Sequence, residues 1–415
     1  FEAIETFAGV ARNQSDRGTV ATMAEYIYRP LKAKVEELRT EFAPATPECY
    51  TLGNCVLEAS APSEIGRSEG HFWFPSLHVL PGTGEAGASI SLLCEADLTA
   101  DEAQGEWPAA LCLSTDLGRS WRRVQDLACA GPASTPIAPG KILLMPYETW
   151  PVAPEDKRNA KAQGTFITLG SEDRLSIERS PVQFLGFPRD LADYHVGEVY
   201  LLTNGNILPL KDGSLFTTVY GKFAGDTKDS CWAVTSVDQG ATWRYRSTVA
   251  DGPALAGAAE GANESNTCRL GDGRLLTVCR TGSAYCKTYS SDDGATWTPP
   301  EFMDGVFSVE PQLVRLENGA ILLSGGRPGL FVWVCTDGSG NTWERFNLAQ
   351  HHNRHQADAA LQYADAVCEG KGVDPPQTTS YTGMVAIGPD EVLVCYDRLG
   401  NGWKGAPGPW GTFDS

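Results

Sequence analysis

The chain has 415 residues, 44 of them glycine and 26 proline, with 42% apolar and 9% aromatic residues. This is a turn-rich globular composition, and the length exceeds what one packed core fills unless the architecture is a repeat or a closed ring. A formal net charge of −19 argues against nucleic acid and anionic membrane surfaces as partners, and no apolar run is long enough to span a bilayer.

Residues 1–47 read as a preceding arm, because "TVATMAEYIYRPLKAKVEELRTEF" has helix-like apolar spacing with Glu and Lys on its polar face. No signal-peptide pattern begins at Phe1. Cys49 and Cys55 then flank the loop "CYTLGNC" and are the candidate disulfide among twelve cysteines, a number that tilts the expectation towards a secreted or extracellular protein. Cys94, Cys112, Cys231, Cys279, Cys335 and Cys395 lie instead inside apolar strand-like runs, where a thiol behaves as a small hydrophobe. None of the spacings is a zinc-type CxxC pair.

From there on the chain repeats itself. "STDLGRSW" (Ser114–Trp121) returns as "SVDQGATW" (Ser236–Trp243), "SSDDGATW" (Ser290–Trp297) and, with one residue inserted, "CTDGSGNTW" (Cys335–Trp343). Apolar hairpins around Asp-Gly or Asn-Gly precede them, as in "CRLGDGRLLTVCR" (Cys268–Arg280) and "VRLENGAILLSGGR" (Val314–Arg327). Each unit reads as two hairpins, one four-stranded blade, and repetition at this period is the signature of a propeller. Within the octapeptide, Asp accepts bonds from backbone N–H groups, Gly supplies a positive φ, and Trp plugs the hairpin. Four copies mark architecture, since an active site is needed once. A stretch rich in polar residues, residues 348–370, reads as a helical insert, and its His351 and His355 stand at a metal-compatible i, i+4 spacing with no third ligand evident. No metal and no cofactor is therefore expected.

The SxDxGxTW run resembles the Asp box, or BNR repeat, of the sialidase (neuraminidase) superfamily. That resemblance covers roughly Cys49 to the C-terminus and implies an all-β, six-bladed propeller over residues 48–415. Its chemistry carries over position by position. "NESNTCRLGDGRLLTVCR" matches the family's Glu and second Arg at Glu264 and Arg280, "ILLSGGRPG" offers Arg327, and "TTSYTGMVAI" offers the nucleophilic Tyr at Tyr381. A phenol needs an adjacent carboxylate to take its proton, and a Tyr nucleophile suits a substrate with a carboxylate at its anomeric carbon. The front of the chain departs from the pattern. In "HFWFPSLHVLP", Trp73 stands where the family has its first Arg, and in "CEAD", Asp97 replaces the Arg of Glu-Ala-Arg. Trp73 reads either as a sugar-stacking platform or as a core aromatic. The acid/base falls in "DLTADEAQGEW", with Asp101 the choice and Asp97 and Glu102 its rivals.

The implied function is a retaining exo-glycosidase of sialidase type. It would act on a terminal, acidic or non-standard sugar with Tyr381, Glu264 and Asp101 catalytic and Arg280, Arg327 and Trp73 binding substrate. The expected partner is thus a glycan or small sugar. The lost Arg leaves open a propeller that binds glycan or protein without turnover, or another carbohydrate-active enzyme, such as a different exo-glycosidase or a polysaccharide lyase, on the same scaffold.

Overall fold

A computed structural model describes residues 47–414 except 69, 83–89, 100, 102–107, 128–130, 195–198, 308, 401 and 405–412. The expected helical arm, apart from Pro47, and the rival acid Glu102 lie outside the described residues. The regular structure among the described residues is almost entirely antiparallel sheet. A hairpin of β1 (Glu48–Leu52) and β2 (Cys55–Ala59) leads, through β3 (Arg67–Ser68), into the first four-stranded sheet. That sheet holds β4 (Trp73–Leu80), β5 (Ser91–Asp97), β6 (Ala109–Ser114) and β7 (Arg122–Leu127).

The next sheet holds β8 (Ala133–Ala138), β9 (Lys141–Met145), β10 (Trp150–Pro151), β11 (Ala160–Leu169) and β12 (Leu175–Leu185). A short parallel pairing of β12 joins it to a sheet of β13 (Leu201–Leu202), β14 (Leu208–Pro209), β15 (Leu215–Gly221), β16 (Ser230–Ser236) and β17 (Thr242–Ala250). Two further four-stranded sheets follow. One is β18 (Asn263–Arg269), β19 (Leu275–Arg280), β20 (Ala284–Ser290) and β21 (Glu301–Phe307). The other is β22 (Gln312–Arg315), β23 (Ile321–Gly326), β24 (Leu330–Cys335) and β25 (Glu344–Asn347). A pair, β26 (Thr382–Ala386) and β27 (Val392–Tyr396), comes last, before β28 (Phe413–Asp414) returns to β3. Leading strands pack side by side: β15 on β18, β18 on β22, β22 on β26, and β26 on β4, which also meets β8. The last sheet therefore lies beside the first.

The octapeptide turns join the last two strands of four of these sheets. In "SVDQGATW", Ser236 Oγ donates to Asp238 (2.8 Å) and accepts from Gly240 N (2.9 Å), while Asp238 accepts from Thr242 N (2.8 Å). Gly240 sits at φ +89°, where a Cβ would also lie 2.3 Å from Leu143 Cδ2, so only glycine fits. Trp243 is fully buried and donates to the Gly240 carbonyl at 3.0 Å. The copies at Asp116 and Asp337 repeat this tie, with Cys335 Sγ taking the serine's place in the latter. Trp297 donates instead to Ser247 Oγ of the neighbouring sheet.

Two expectations are corrected. Cys49 and Cys55 are free thiols. The ladder pairs Cys49 with Glu58 and Cys55 with Leu52, three pairs apart along the hairpin. That is about 10 Å at ~3.4 Å per residue, beyond disulfide reach. The insert is not one helix but two short ones, α1 (Leu348–His355) and α2 (Asp365–Cys368). Between them Gln356 and Asp358 side chains accept from backbone N–H groups of Asp358 and Ala360, a local alternative to helical bonding.

Candidate active site

Two β-bulges and two chain turns bring the site together. Glu264 is the extra residue where the β18–β19 register shifts between Asn263 and Ser265. Phe74 sits in the corresponding irregularity of β4, between Trp73 and Ser76. A bulge re-aims the side chain it inserts. Arg327 follows the end of β23, and Tyr381 immediately precedes β26.

The Tyr381 hydroxyl donates to Glu264 Oε1, which also accepts from Arg280 Nη1 at 2.9 Å. The other oxygen, Oε2, accepts the backbone N–H of Glu310 at 2.8 Å. Arg280 turns its remaining edge to Glu260, with Nε and Nη2 at 2.9 and 3.0 Å from that carboxylate. Its charge is thus shared between two carboxylates. Arg327 spends Nε and Nη2 on the Thr379 carbonyl (3.2 and 2.8 Å), with its guanidinium 5.2 Å from the Tyr381 ring centre and 4.7 Å from that of Trp403. Burial, then the charge of Glu264, pushes the Tyr381 phenol well above its ordinary value, and Arg327 and Arg280 oppose this. Glu264 accepts the hydrogen bond of this phenol.

Tyr381 lines a cavity of about 70 Å³ with Phe74, Tyr147, Glu95, Asp97, Asp101 and Glu310 among its walls. Burial favours the protonated form of three of its carboxyls. Burial, reinforced by Asp101, raises Asp97 to about 8, so it holds a proton at neutral pH. Burial also raises Glu95, with Asp97 adding to it, and Glu310, with Glu264 and Asp97 adding. Glu95 Oε1 accepts from Gly131 N at 2.7 Å, while its Oε2 has no hydrogen-bond partner among the described residues. A second cavity, about 220 Å³, lies beyond Arg327 and Trp403 and is walled by Val367, Lys371 and Val373 from the end of the insert.

Trp73 does not offer a face to either cavity. It is fully buried against Phe74, Leu399 and Trp403 and donates Nε1–H to the Thr99 carbonyl at 2.9 Å. Phe74, the next residue, lines the smaller cavity and stands edge-on to Tyr381, with ring centres 4.8 Å apart. The platform expected at Trp73 is therefore corrected to a core indole, because the bulge turns the following side chain to the cavity. Asp101 is exposed at the wall and Asp97 is partly buried.

Sequence reasoning missed Phe74, Glu95, Glu260, Glu310, Trp403 and Asp397. Asp397 is fully buried and accepts from Thr378 Oγ1 (2.7 Å), Thr379 N (2.8 Å) and Thr379 Oγ1, fixing the turn that presents Tyr381. One local signal existed for it, an Asp ending an apolar strand. Backbone strain marks the same place. Of nine non-glycine residues at positive φ among those described, three precede the glycine of an octapeptide turn and two are Glu172 and Asp173. The other four, Phe74, Glu310, Arg327 and Ser380, surround Tyr381 and its cavities. Strain concentrated at one site is a functional signal.

Residues 182–380 match the BNR repeat-like domain family. Among solved structures, a protein of unknown function from Dyadobacter fermentans DSM 18053 is similar over 81% of this chain and 93% of its own, at 18% identity and a TM-score of 0.55. The NanB sialidase of Streptococcus pneumoniae is similar over 82% of this chain and 68% of its own (13% identity, TM-score 0.47). The α-L-arabinanase of Penicillium chrysogenum is similar over 87% and 95% (14%, 0.47). No curated protein sequence matches the chain. Turn chemistry and the succession of antiparallel sheets agree with the match of residues 182–380 to the BNR repeat-like domain family.

Proposed function

We propose that the protein is a six-bladed propeller and a retaining exo-glycosidase. The observation that carries the proposal is the hydrogen bond to Glu264 from Tyr381, which lines one cavity with Asp97, a carboxyl raised to about 8. Tyr381 Oη attacks the anomeric carbon as its proton passes to Glu264, and the glycosidic bond breaks as Asp97 protonates the leaving oxygen. Water then attacks the glycosyl-tyrosine with Asp97, now ionised, taking its proton, and Glu264 returns a proton to Tyr381. Asp101 keeps Asp97 protonated by its charge and completes the acid/base pair. Arg280 and Arg327 favour the phenolate that departs in the second step.

The sugar is uncharged rather than acidic. A carboxylate-binding site needs guanidinium groups with donors to spare. Here Arg280 already faces two carboxylates, Arg327 gives Nε and Nη2 to the Thr379 carbonyl and lies against two rings, and the first arginine is absent. The charges of Asp101 and Glu264 would repel an anion, whereas Glu95 and Glu310, which burial pushes towards the protonated form, suit sugar hydroxyls. The test is a panel of terminal aryl glycosides, with sialic acid, its deaminated relatives, neutral pyranoses and arabinofuranose as glycons. Hydrolysis of a neutral member with retained anomeric configuration is the expected result. Turnover confined to sialosides would overturn the substrate assignment, and turnover of none of them in wild type would favour a binding propeller.

A further inference from the structure

The i, i+4 histidines of the insert meet a third ligand that lies some three hundred residues away in sequence. His351 and His355 project from one face of α1, with ring centres 4.6 Å apart. Glu48, at the start of β1, brings Oε2 to 3.7 Å from His351 Nδ1 and Oε1 to 3.6 Å from His355 Nε2. The three ligand atoms lie within 4.8 Å of one another. Tetrahedral zinc with bonds of about 2.0–2.2 Å separates its ligands by about 3.3–3.6 Å, so small side-chain movements close the set.

The hydrogen bonds of His351 also prepare it as a ligand. His351 Nε2 is 2.8 Å from the Ser60 carbonyl, which can only accept, so Nε2 carries the proton and Nδ1 presents its lone pair to Glu48. That backbone-anchored tautomer is the arrangement found on metal-bound histidines. Tyr50 Oη lies 2.8 Å from the same Nδ1 and also contacts Glu48 Oε2. One phenolic proton cannot serve two acceptors, and a bound cation removes the conflict. Arg354, more than half exposed, places Nη1 3.4 Å from Glu48 Oε2 and is the charge a metal would displace. His355 is about a quarter exposed and leaves a path for entry.

We propose that Glu48, His351 and His355 form a site for a borderline divalent cation of the zinc class, with an open position for water. Two imidazoles and one carboxylate suit zinc better than calcium or magnesium, which prefer oxygen ligands. The ion would staple the β1–β2 hairpin to the helical insert, whose later residues wall the larger cavity. This is independent of the reaction proposed above.

The experiment is calorimetric titration of the full chain with Zn²⁺ after chelator treatment, together with its thermal midpoint. Expected are one ion per chain, a raised midpoint with zinc, and affinity reduced at least about tenfold in His355→Ala and in Glu48→Gln. Co²⁺ should give visible ligand-field absorption that His355→Ala lacks. Cys49 is an exposed thiol on the opposite face of β1 from Glu48, so Cys49→Ser serves as the control and should bind as wild type does. No stoichiometric zinc binding by the wild type, undiminished binding in His355→Ala, or binding lost in Cys49→Ser would each overturn the site.

Discussion

At the scale of single residues, catalysis divides the site from its frame. Tyr381→Phe removes the nucleophile and keeps the ring edge against Phe74, so turnover should fall by about a thousandfold or more while the thermal midpoint hardly moves. Glu264→Gln should cost at least a hundredfold, in line with the loss of a proton acceptor. Steady-state rates with circular dichroism melts check both. Asp97 gives the pH signature. Its carboxyl, raised to about 8 by burial and by Asp101, is the acid only while protonated, so kcat/KM should decline as pH rises through about 8. Asp97→Asn should abolish that alkaline limb along with most of the activity. A limb unchanged in the variant would assign the acid elsewhere. Trp73 behaves differently. Trp73→Ala should cost about 3–5 kcal/mol of stability as a core deletion, and Trp73→Arg should unfold the chain by burying an unpaired charge. Denaturant melts distinguish this from a ligand-binding role, which would leave stability intact.

At the scale of elements, the octapeptide turns are local devices that fold on their own chemistry. Asp292 accepts from Ser290 Oγ (2.8 Å), Thr296 N (2.8 Å) and Thr296 Oγ1 (2.6 Å), and these bonds, Thr296's first, pull its carboxyl down to about 2. A value lower in the folded than in the unfolded chain stabilises the fold above the ordinary 3.8, and this is lost as pH falls towards about 2. Asp292→Ala should therefore melt lower at neutral pH, with the difference from wild type narrowing on acidification. Because the carboxylate is exposed, the effect should not exceed about 1 kcal/mol. An acid-independent difference would mean that the side chain acts through packing alone. These turns were legible because their partners, the Ser247 acceptor of Trp297 excepted, lie within a few residues of sequence. The break in the helical insert was not, since it depends on Gln356 and Asp358 capturing backbone N–H groups that a spacing argument assigns to a helix.

At the scale of the whole molecule, the contact between the last sheet and the first positions the cavity. A Cβ on Gly383 of β26 would lie 2.6 Å from Leu77 N and 3.0 Å from the Ser76 carbonyl carbon on β4. Gly383→Ala should force the two strands apart, lowering stability by about 1–3 kcal/mol. Activity should fall too, since Ser76 and Phe74 line the cavity beside Tyr381. Thermal melts and initial rates on the same preparations test this, and full activity with an unchanged midpoint would show that the two strands have room to yield.

Local chemistry written within short windows was readable from the sequence alone: the all-β repeat and the octapeptide turns. Hairpins and turns depend on neighbours a few residues away, so their patterns survive in one dimension. The two departures at Trp73 and Asp97 looked separate in the sequence, yet they face each other across β4 and β5. Only the tertiary structure decided what they do. A bulge buries Trp73 and sends Phe74 to the cavity, and burial beside Asp101 raises the Asp97 carboxyl to about 8. The pairing of Glu48 with His351 and His355 has the same character. Burial, bulges and long-range approach are properties of the packed chain, and no window of sequence contains them.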